Sequence, residues 1–369
     1  MKKQILLSLI LVVPLLTMAQ TTYVPDDNFE NWLENNGMGD GISGNDYVLT
    51  ANIDTVTQLG WFNLIVSDFT GLEDFTALES FYCELCYITT IDVSNNLLLK
   101  KLSLPFAYGL TVLDVSNNTL LEELVIFHGG ITSIDVSNCP NLWWFICSDN
   151  LLTSLDVSSN PNLSTLICNN NNLPSLDVSG LSNLKELECY SNNISHLDIT
   201  GCTALENLIS GWNNLTTIDL STNVNLKEIL CGFDSLTHLD VSSCPNLTTG
   251  SSFYGLKCFK NKLVYLNLQN GDPTGPPCEA EDNPDLTCVQ VNDVAYANAN
   301  FTDFDNGVYF DLNCPPVGLE EEVIEDEILK DRKLVRIVDL LGRNVNPQKK
   351  MLLLYIYDDG SVEKKVIMD

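Results

Sequence analysis

Eight aspartates recur down the middle of this sequence, Asp92, Asp114, Asp135, Asp156, Asp177, Asp198, Asp219 and Asp240, in one step of 22 and then six of 21 residues. Each stands in the phrase Leu/Ile-Asp-Val-Ser or a near copy of it. Carboxylates one period apart could hold calcium in a row, or act in pairs as acid and base on a glycosidic bond. Stacked carboxylates repel unless hydroxyls, amides or cations stand between them. Hydrogen bonding is the expected arrangement, because a hydroxyl follows two positions after every aspartate, from Ser94, Ser116 and Ser137 to Thr200, Ser221 and Ser242. A calcium-binding row is the sharper alternative. No aspartate differs from its copies in a way that would single out a catalytic pair.

Other catalytic chemistry is poorly supplied. The three histidines are His128, His196 and His238. The last two hold equivalent places two periods apart, about 10 Å at ordinary strand spacing, too far to share a metal directly. No Gly-x-Ser-x-Gly elbow, His-Glu-x-x-His pair or phosphate-cradling glycine loop occurs. The expectation is a protein that is not an enzyme and needs no cofactor, with calcium as the one ion worth testing.

Thirteen cysteines would suit a disulfide scaffold, but an odd number cannot all pair within one molecule. Cys83, Cys147, Cys168, Cys189 and Cys231 share one place in the period where other copies carry Leu104 or Ile126, so they are expected as small buried apolar groups. Cys86, Cys139, Cys202 and Cys244 replace asparagines. Cys258, Cys278, Cys288 and Cys314 remain. Four cysteines allow three pairings, of which Cys288 with Cys314 and Cys258 with Cys278 are preferred.

The element that carries these residues is a short coil. Its clearest copy reads Leu163-x-x-Leu166-x-Cys168-x-x-Asn171-x-Leu173, then Leu176-Asp177-Val178 and Leu181. Leu-x-Cys and Leu-x-Val alternate with the two-residue period of half-buried strands, and Asn171 marks a turn. The pattern resembles the 21-residue bacterial class of leucine-rich repeat over about residues 78–256. Ala107 and Gly129 replace the turn asparagine, and after Asp240 the phrase returns only as Leu266-Asn267-Leu268. The expected fold is therefore a β-rich solenoid, a leucine-rich repeat stack of about nine 21-residue rungs with a helical N-terminal cap and a small C-terminal β module. Nine rungs make a stack roughly 40 Å long.

Residues 20–77 are read as the N-terminal cap, with a helix over 26–36 capped by Asp27 and ended by Asn36-Gly37. The acidic loop from Asp40 to Asp46 lacks the ligand spacing of a helix-loop-helix calcium site and reads as a plain turn. Residues 257–314 are read as a C-terminal cap with disulfides.

Outside the coil, Lys2, Lys3, the apolar run Ile5–Leu16 and Thr17-Met18-Ala19 read as a signal peptide over residues 1–19. An extracellular or outer-surface location follows, with no later apolar run long enough to span a membrane. Residues 20–322 carry seven lysines, no arginine and 40 acids, a net charge of −33. Such a field repels phosphate backbones and argues against nucleic acid as a partner.

An acidic linker over 315–329 precedes three expected strands at 333–339, 351–357 and 362–368. The segments Val338-Asp339-Leu-Leu-Gly342-Arg343-Asn-Val345 and Leu354-Tyr355 to Lys364-Lys365-Val366 resemble the C-terminal sorting domain of type IX secretion cargo, found in Bacteroidetes-type bacteria. The opening strand with its Asn-Pro element is missing. The resemblance implies that residues 330–369 engage the type IX secretion machinery, after which the tail is removed and the protein is released or attached at the surface.

Within the coil, the Asp-bearing strand presents a monotonous Thr, Asp and Ser surface, whereas the other strand varies. Val125, Phe127, Trp144, Ile146, Ile167, Tyr190, Ile209, Trp212, Leu230 and Phe233 occupy its outward or flanking places, with Phe253 and Tyr254 beyond. They stand among Glu123, Glu186, Glu188 and Glu228. Large apolar groups facing water, rimmed by charge, mark an interaction surface. The ligand expected there is a protein, with a glycan-binding accessory or adhesin, or a calcium-stabilised surface protein, as alternatives.

Overall fold

The computed structural model describes residues 20–62, 65–247 and 255–315, and three strands further along the chain. The expected signal peptide, nearly all of the expected acidic linker, and Phe253 and Tyr254 lie outside the described residues.

The repeat folds as a parallel β-solenoid of about twelve turns. One long parallel sheet of eleven strands runs along it, from Gln58–Phe62 to Cys278–Glu279. Its middle strands are Glu123–Val125, Trp144–Ile146, Thr165–Ile167, Glu186–Glu188, Asn207–Ile209 and Glu228–Leu230, each paired in register with the next. The coil is thus longer than the nine rungs expected. Its outer turns keep buried residues such as Leu59 and Leu256 but lack the Leu-Asp-Val-Ser phrase that makes a rung conspicuous.

The Asp-bearing stretch pairs as strand only in part: Ser175–Asp177 with His196–Asp198, and a four-stranded parallel sheet of His238–Asp240, Tyr265–Asn267, Cys288–Gln290 and Tyr309–Asp311.

The core is a column of side chains repeated rung by rung. Leu163, Leu166, Cys168 and Leu173 are fully buried, as are Leu184, Leu187, Cys189 and Ile194 one rung later. No rung could bury these groups alone, so stability is shared with the rungs on either side.

Asparagine ties rung to rung. Asn171 donates through Nδ2 to the carbonyls of Cys147 and Cys168, both at 3.0 Å, while its Oδ1 accepts from the Leu152 N–H at 2.9 Å. Asn150, Asn192, Asn213, Asn261 and Asn283 repeat the arrangement. Each bond satisfies backbone groups that a turn inside the coil would otherwise leave unpaired. At a second asparagine station, Asn118, Asn160 and Asn223 bridge rungs through Nδ2 alone, their buried Oδ1 atoms having no hydrogen-bond partner. There Cys139, Cys202 and Cys244 aim their thiols at carbonyls one rung back.

Two cysteine expectations change. Cys83 is joined to Cys86 in a disulfide, whereas it was expected as a lone buried thiol. Cys258 and Cys278 are free, buried thiols, not a disulfide. Cys278 pairs across the sheet with Leu256, two places away from Cys258 along the strand. Cys288 and Cys314 are joined.

At the N-terminus, a helix spans Asp27–Asn35, with Phe29 and Leu33 fully buried. Its cap is Asp26, not Asp27: the Asp26 Oδ1 accepts from the N–H groups of Asn28 and Phe29, both at 3.0 Å. Asp26 reaches these groups because its own backbone is extended, while Asp27 is already helical. The acidic loop that follows wraps two helix carboxylates. Glu30 accepts from Gly44 and Asn45, and Glu34 from Asp40 and Gly41.

The chain divides into two units, residues 1–315 and 316–369. In the second, Leu334–Val338, Leu352–Tyr357 and Val362–Val366 form an antiparallel meander.

Candidate binding surface

Each rung of the long sheet carries three alternate stations on the side away from the core, because side chains alternate along a strand; Thr165, Glu228, Ser148 and Asn169 are buried there. The first, at the strand's start, reads Lys101, Glu123, Trp144, Thr165, Glu186, Asn207, Glu228 across the sheet. The second, at its end, reads Val125, Ile146, Ile167, Glu188, Ile209, Leu230. Five of the expected apolar residues therefore form one continuous row, interrupted by a single carboxylate. All five are partly exposed.

The third station lies beyond the strand and holds Phe127 and Tyr190. The residue after it adopts a left-handed backbone in rung after rung: Phe106, His128, Asp149, Asn170, Ser191, Trp212, Phe233 and Lys260 have φ between 53° and 60°. Asn, Asp and Ser suit this conformation, whereas bulky side chains in it are outliers. Trp212 and Phe233 occupy it nevertheless, and their rings stack on each other. Phe259 meets the Phe233 ring edge-on at 5.4 Å, and the Lys260 ammonium lies 4.6 Å from its centroid.

The neighbouring station must be glycine here. A Cβ on Gly211 would lie 2.5 Å from the Gly232 carbonyl oxygen, closer than real contacts allow.

A second aromatic group stands several rungs away on the same edge. Phe106 stacks on His128 at 4.9 Å and meets Phe127 edge-on at 4.9 Å, with the exposed Tyr108 beside them. Of this group, alternation marks only Phe127 as an outward apolar residue. The signal was present in the period, since Phe106 and His128 align with Trp212, but only the left-handed turn shows that the station faces outward.

The charge on this face is only partly neutralised. Lys101 pairs with Glu123 at 2.7 Å and Lys257 with Glu279 at 2.9 Å. Glu188, between Ile167 and Ile209, has neither an ion pair nor a side-chain hydrogen bond among the described residues. Burial, and then the nearby charge of Glu186, raise its carboxyl above the usual range. Burial raises Glu228 as well, against the pull of Lys257. Tyr190 is raised by burial and by the charges of Glu188 and Asp149.

The Asp-bearing edge is built differently. Every ladder aspartate accepts from the backbone N–H two residues on, at 2.8 to 2.9 Å, as from Ser94, Ser158 and Ser242. The Ser hydroxyl and then the backbone N–H lower the carboxyls of Asp92, Asp114, Asp135, Asp156 and Asp219. Asp198 is lowered by the backbone N–H of Thr200 and then by its hydroxyl. Each carboxylate is thus held by its own turn.

Among the described residues, the acids close enough together to share an ion are Asp27, Glu30 and Asp46, away from this ladder. His196 and His238 are exposed, and His238 faces Tyr265 at 6.0 Å between ring centres. No helix among the described residues is long and apolar enough to cross a membrane.

No family model and no curated protein matches the chain. Solved structures do. The functional domain of InlJ from Listeria monocytogenes, described as including a cysteine ladder, is similar at 26% identity and a TM-score of 0.57, covering 80% of this chain and 72% of that one. The internalin InlF of the same organism is similar at 20% identity and a TM-score of 0.50, over 73% of this chain and 83% of its own. The fold is that of a leucine-rich repeat protein.

Proposed function

We propose that this chain is a non-enzymatic recognition protein, exported to the cell surface or beyond, that binds a protein ligand through the varied face of its long sheet. The observation that carries the reading is the row from Val125 to Leu230 with Trp144, Tyr190 and the Trp212–Phe233 stack beside it. A solenoid offers such a face as an extended surface, and aromatic anchors dominate binding energy at protein interfaces. Glu186 and Glu188 favour a partner that sets a lysine or arginine among its apolar contacts, since neither carboxylate has an ion pair among the described residues.

A pull-down from co-cultured cells and host surface, run with wild type and with the Trp144→Ala, Tyr190→Ala, Trp212→Ala triple variant, tests the assignment. The triple variant should fold and lose the ligand. Full retention overturns the site. The stacked rings also suit a sugar, and a glycan array separates that reading. Residues 330–369 are proposed to carry the type IX sorting signal, on the resemblance of their sequence; secretion with and without them in a type IX-competent host is the test.

A further inference from the structure

The asparagine ladder contains one acid. At the rung of Asn213, Oδ1 accepts from the Ile194 N–H at 2.9 Å, and Nδ2 donates to the carbonyls of Cys189, Ser210 and Gly211 at 3.0, 2.7 and 3.3 Å. One rung later the same station is Asp234. Its Oδ1 accepts from the N–H groups of Asn213 and Leu215, at 3.0 and 3.2 Å. By the repeat, its Oδ2 takes the place that Nδ2 holds in the asparagine rungs, where the corresponding carbonyls are those of Ser210, Cys231 and Gly232. A carboxylate oxygen has no hydrogen to offer them. Asp234 is 9% exposed, and Oδ2 has no hydrogen-bond partner.

We propose that folded Asp234 is the neutral acid, with its proton on Oδ2 donated to one of these carbonyls, so that this joint of the ladder is closed by a titratable hydrogen bond. Loss of the proton leaves an ion facing carbonyl oxygens in a site without compensating charge.

The surroundings agree. Burial pushes the Asp234 carboxyl up to about 7, and the bonds from Leu215 and Asn213 only partly oppose it. The titratable groups that face it are the thiols of Cys189 and Cys231, which burial keeps protonated. On the next rung, Asn261 is committed to the Cys231 and Cys258 carbonyls, and the Lys260 ammonium lies over the Phe233 ring. Glu228 and Lys257 belong to the outward stations of the sheet. No ion pair reaches Asp234 among the described residues.

The joint lies under the aromatic stack. Asp234 follows Phe233 in sequence, and its Oδ1 holds the N–H of the residue after Trp212. Both rings therefore stand on backbone next to this joint.

The carboxyl titrates higher in the folded than in the unfolded chain. Its contribution to stability is whole below the unfolded value and is lost as pH rises through the folded one. Denaturant unfolding of wild type, Asp234→Asn and Asn213→Asp, from about pH 5 to about pH 8.5, reads this directly. Relative to Asp234→Asn, which restores the amide, the unfolding constant of wild type should rise about a hundredfold across this range. Asn213→Asp should steepen the rise. Parallel profiles for wild type and Asp234→Asn would overturn the proposal, and so would an Asp234 side-chain carbon resonance in the wild-type protein that titrates below pH 5.

Discussion

Trp212 and Phe233 stack with ring centroids 4.5 Å apart and 15° between their planes, each on a left-handed backbone, at φ of 54° and 59°. A side chain in this conformation costs roughly 1–2 kcal/mol, and an aromatic pair returns about 0.5–1.5 kcal/mol beyond its buried area. Two such side chains together cost roughly 2–4 kcal/mol, more than the one pair returns, so the fold itself has little reason to keep aromatic residues here.

Replacing both rings by asparagine, the residue that holds this station at Asn170, should therefore lower stability by no more than about 1 kcal/mol while removing ligand binding. Urea unfolding and binding to the captured ligand check the two halves separately. A large loss of stability would assign the stack to the fold instead.

Leu166 is fully buried beneath the middle of the sheet, between Phe145 and Leu187 on the strands to either side. Leu166→Ala should cost about 2–5 kcal/mol, since neighbouring rungs collapse only in part around the lost volume. The shift in denaturant midpoint measures it.

The ladder aspartates should respond to acid. Asp92, Asp114, Asp135, Asp156, Asp198 and Asp219 have carboxyls lowered by hydroxyl and amide bonds, so their contribution is present above the unfolded value and is lost as pH falls through the folded one, below about 3.8. Melting followed from neutral pH downward should show this late loss. At neutral pH, calcium or a chelator should leave the melting temperature unchanged, because each carboxylate is already held by a backbone N–H; a clear rise with calcium would restore the cation row.

Nine thiols are free and buried. Burial pushes Cys139 and Cys202 to about 11 and Cys244 to about 12, and raises Cys147, Cys168 and Cys189 further. The native protein should resist alkylation at pH 8 and take up nine labels only in denaturant, as counted by mass spectrometry.

Much of this was legible beforehand because a repeat reports the same fact many times. The inward leucines, the buried cysteines and the turn asparagine were each visible in several copies, and the row from Val125 to Leu230 follows from alternation alone. What escaped was what occurs once or depends on the third dimension. Asp26 rather than Asp27 caps the first helix because backbone conformation decides between two adjacent acids. Cys83 and Cys86 are bonded although the period assigned them to separate stations. The outer turns were missed because burial persists there without the phrase, and Asp234 looked like one acid among many until its place in the ladder was known.

Because every Asn171-type bond among the described residues reaches only to the adjacent rung, nothing in this ladder measures the length of the coil. One whole period between Asn171 and Asn213 can be removed or duplicated and the new neighbours will meet through the same stations. A lineage can therefore lengthen or shorten the Val125–Leu230 row by unequal recombination, redrawing the footprint of the proposed ligand while both ends of the molecule stay as they are.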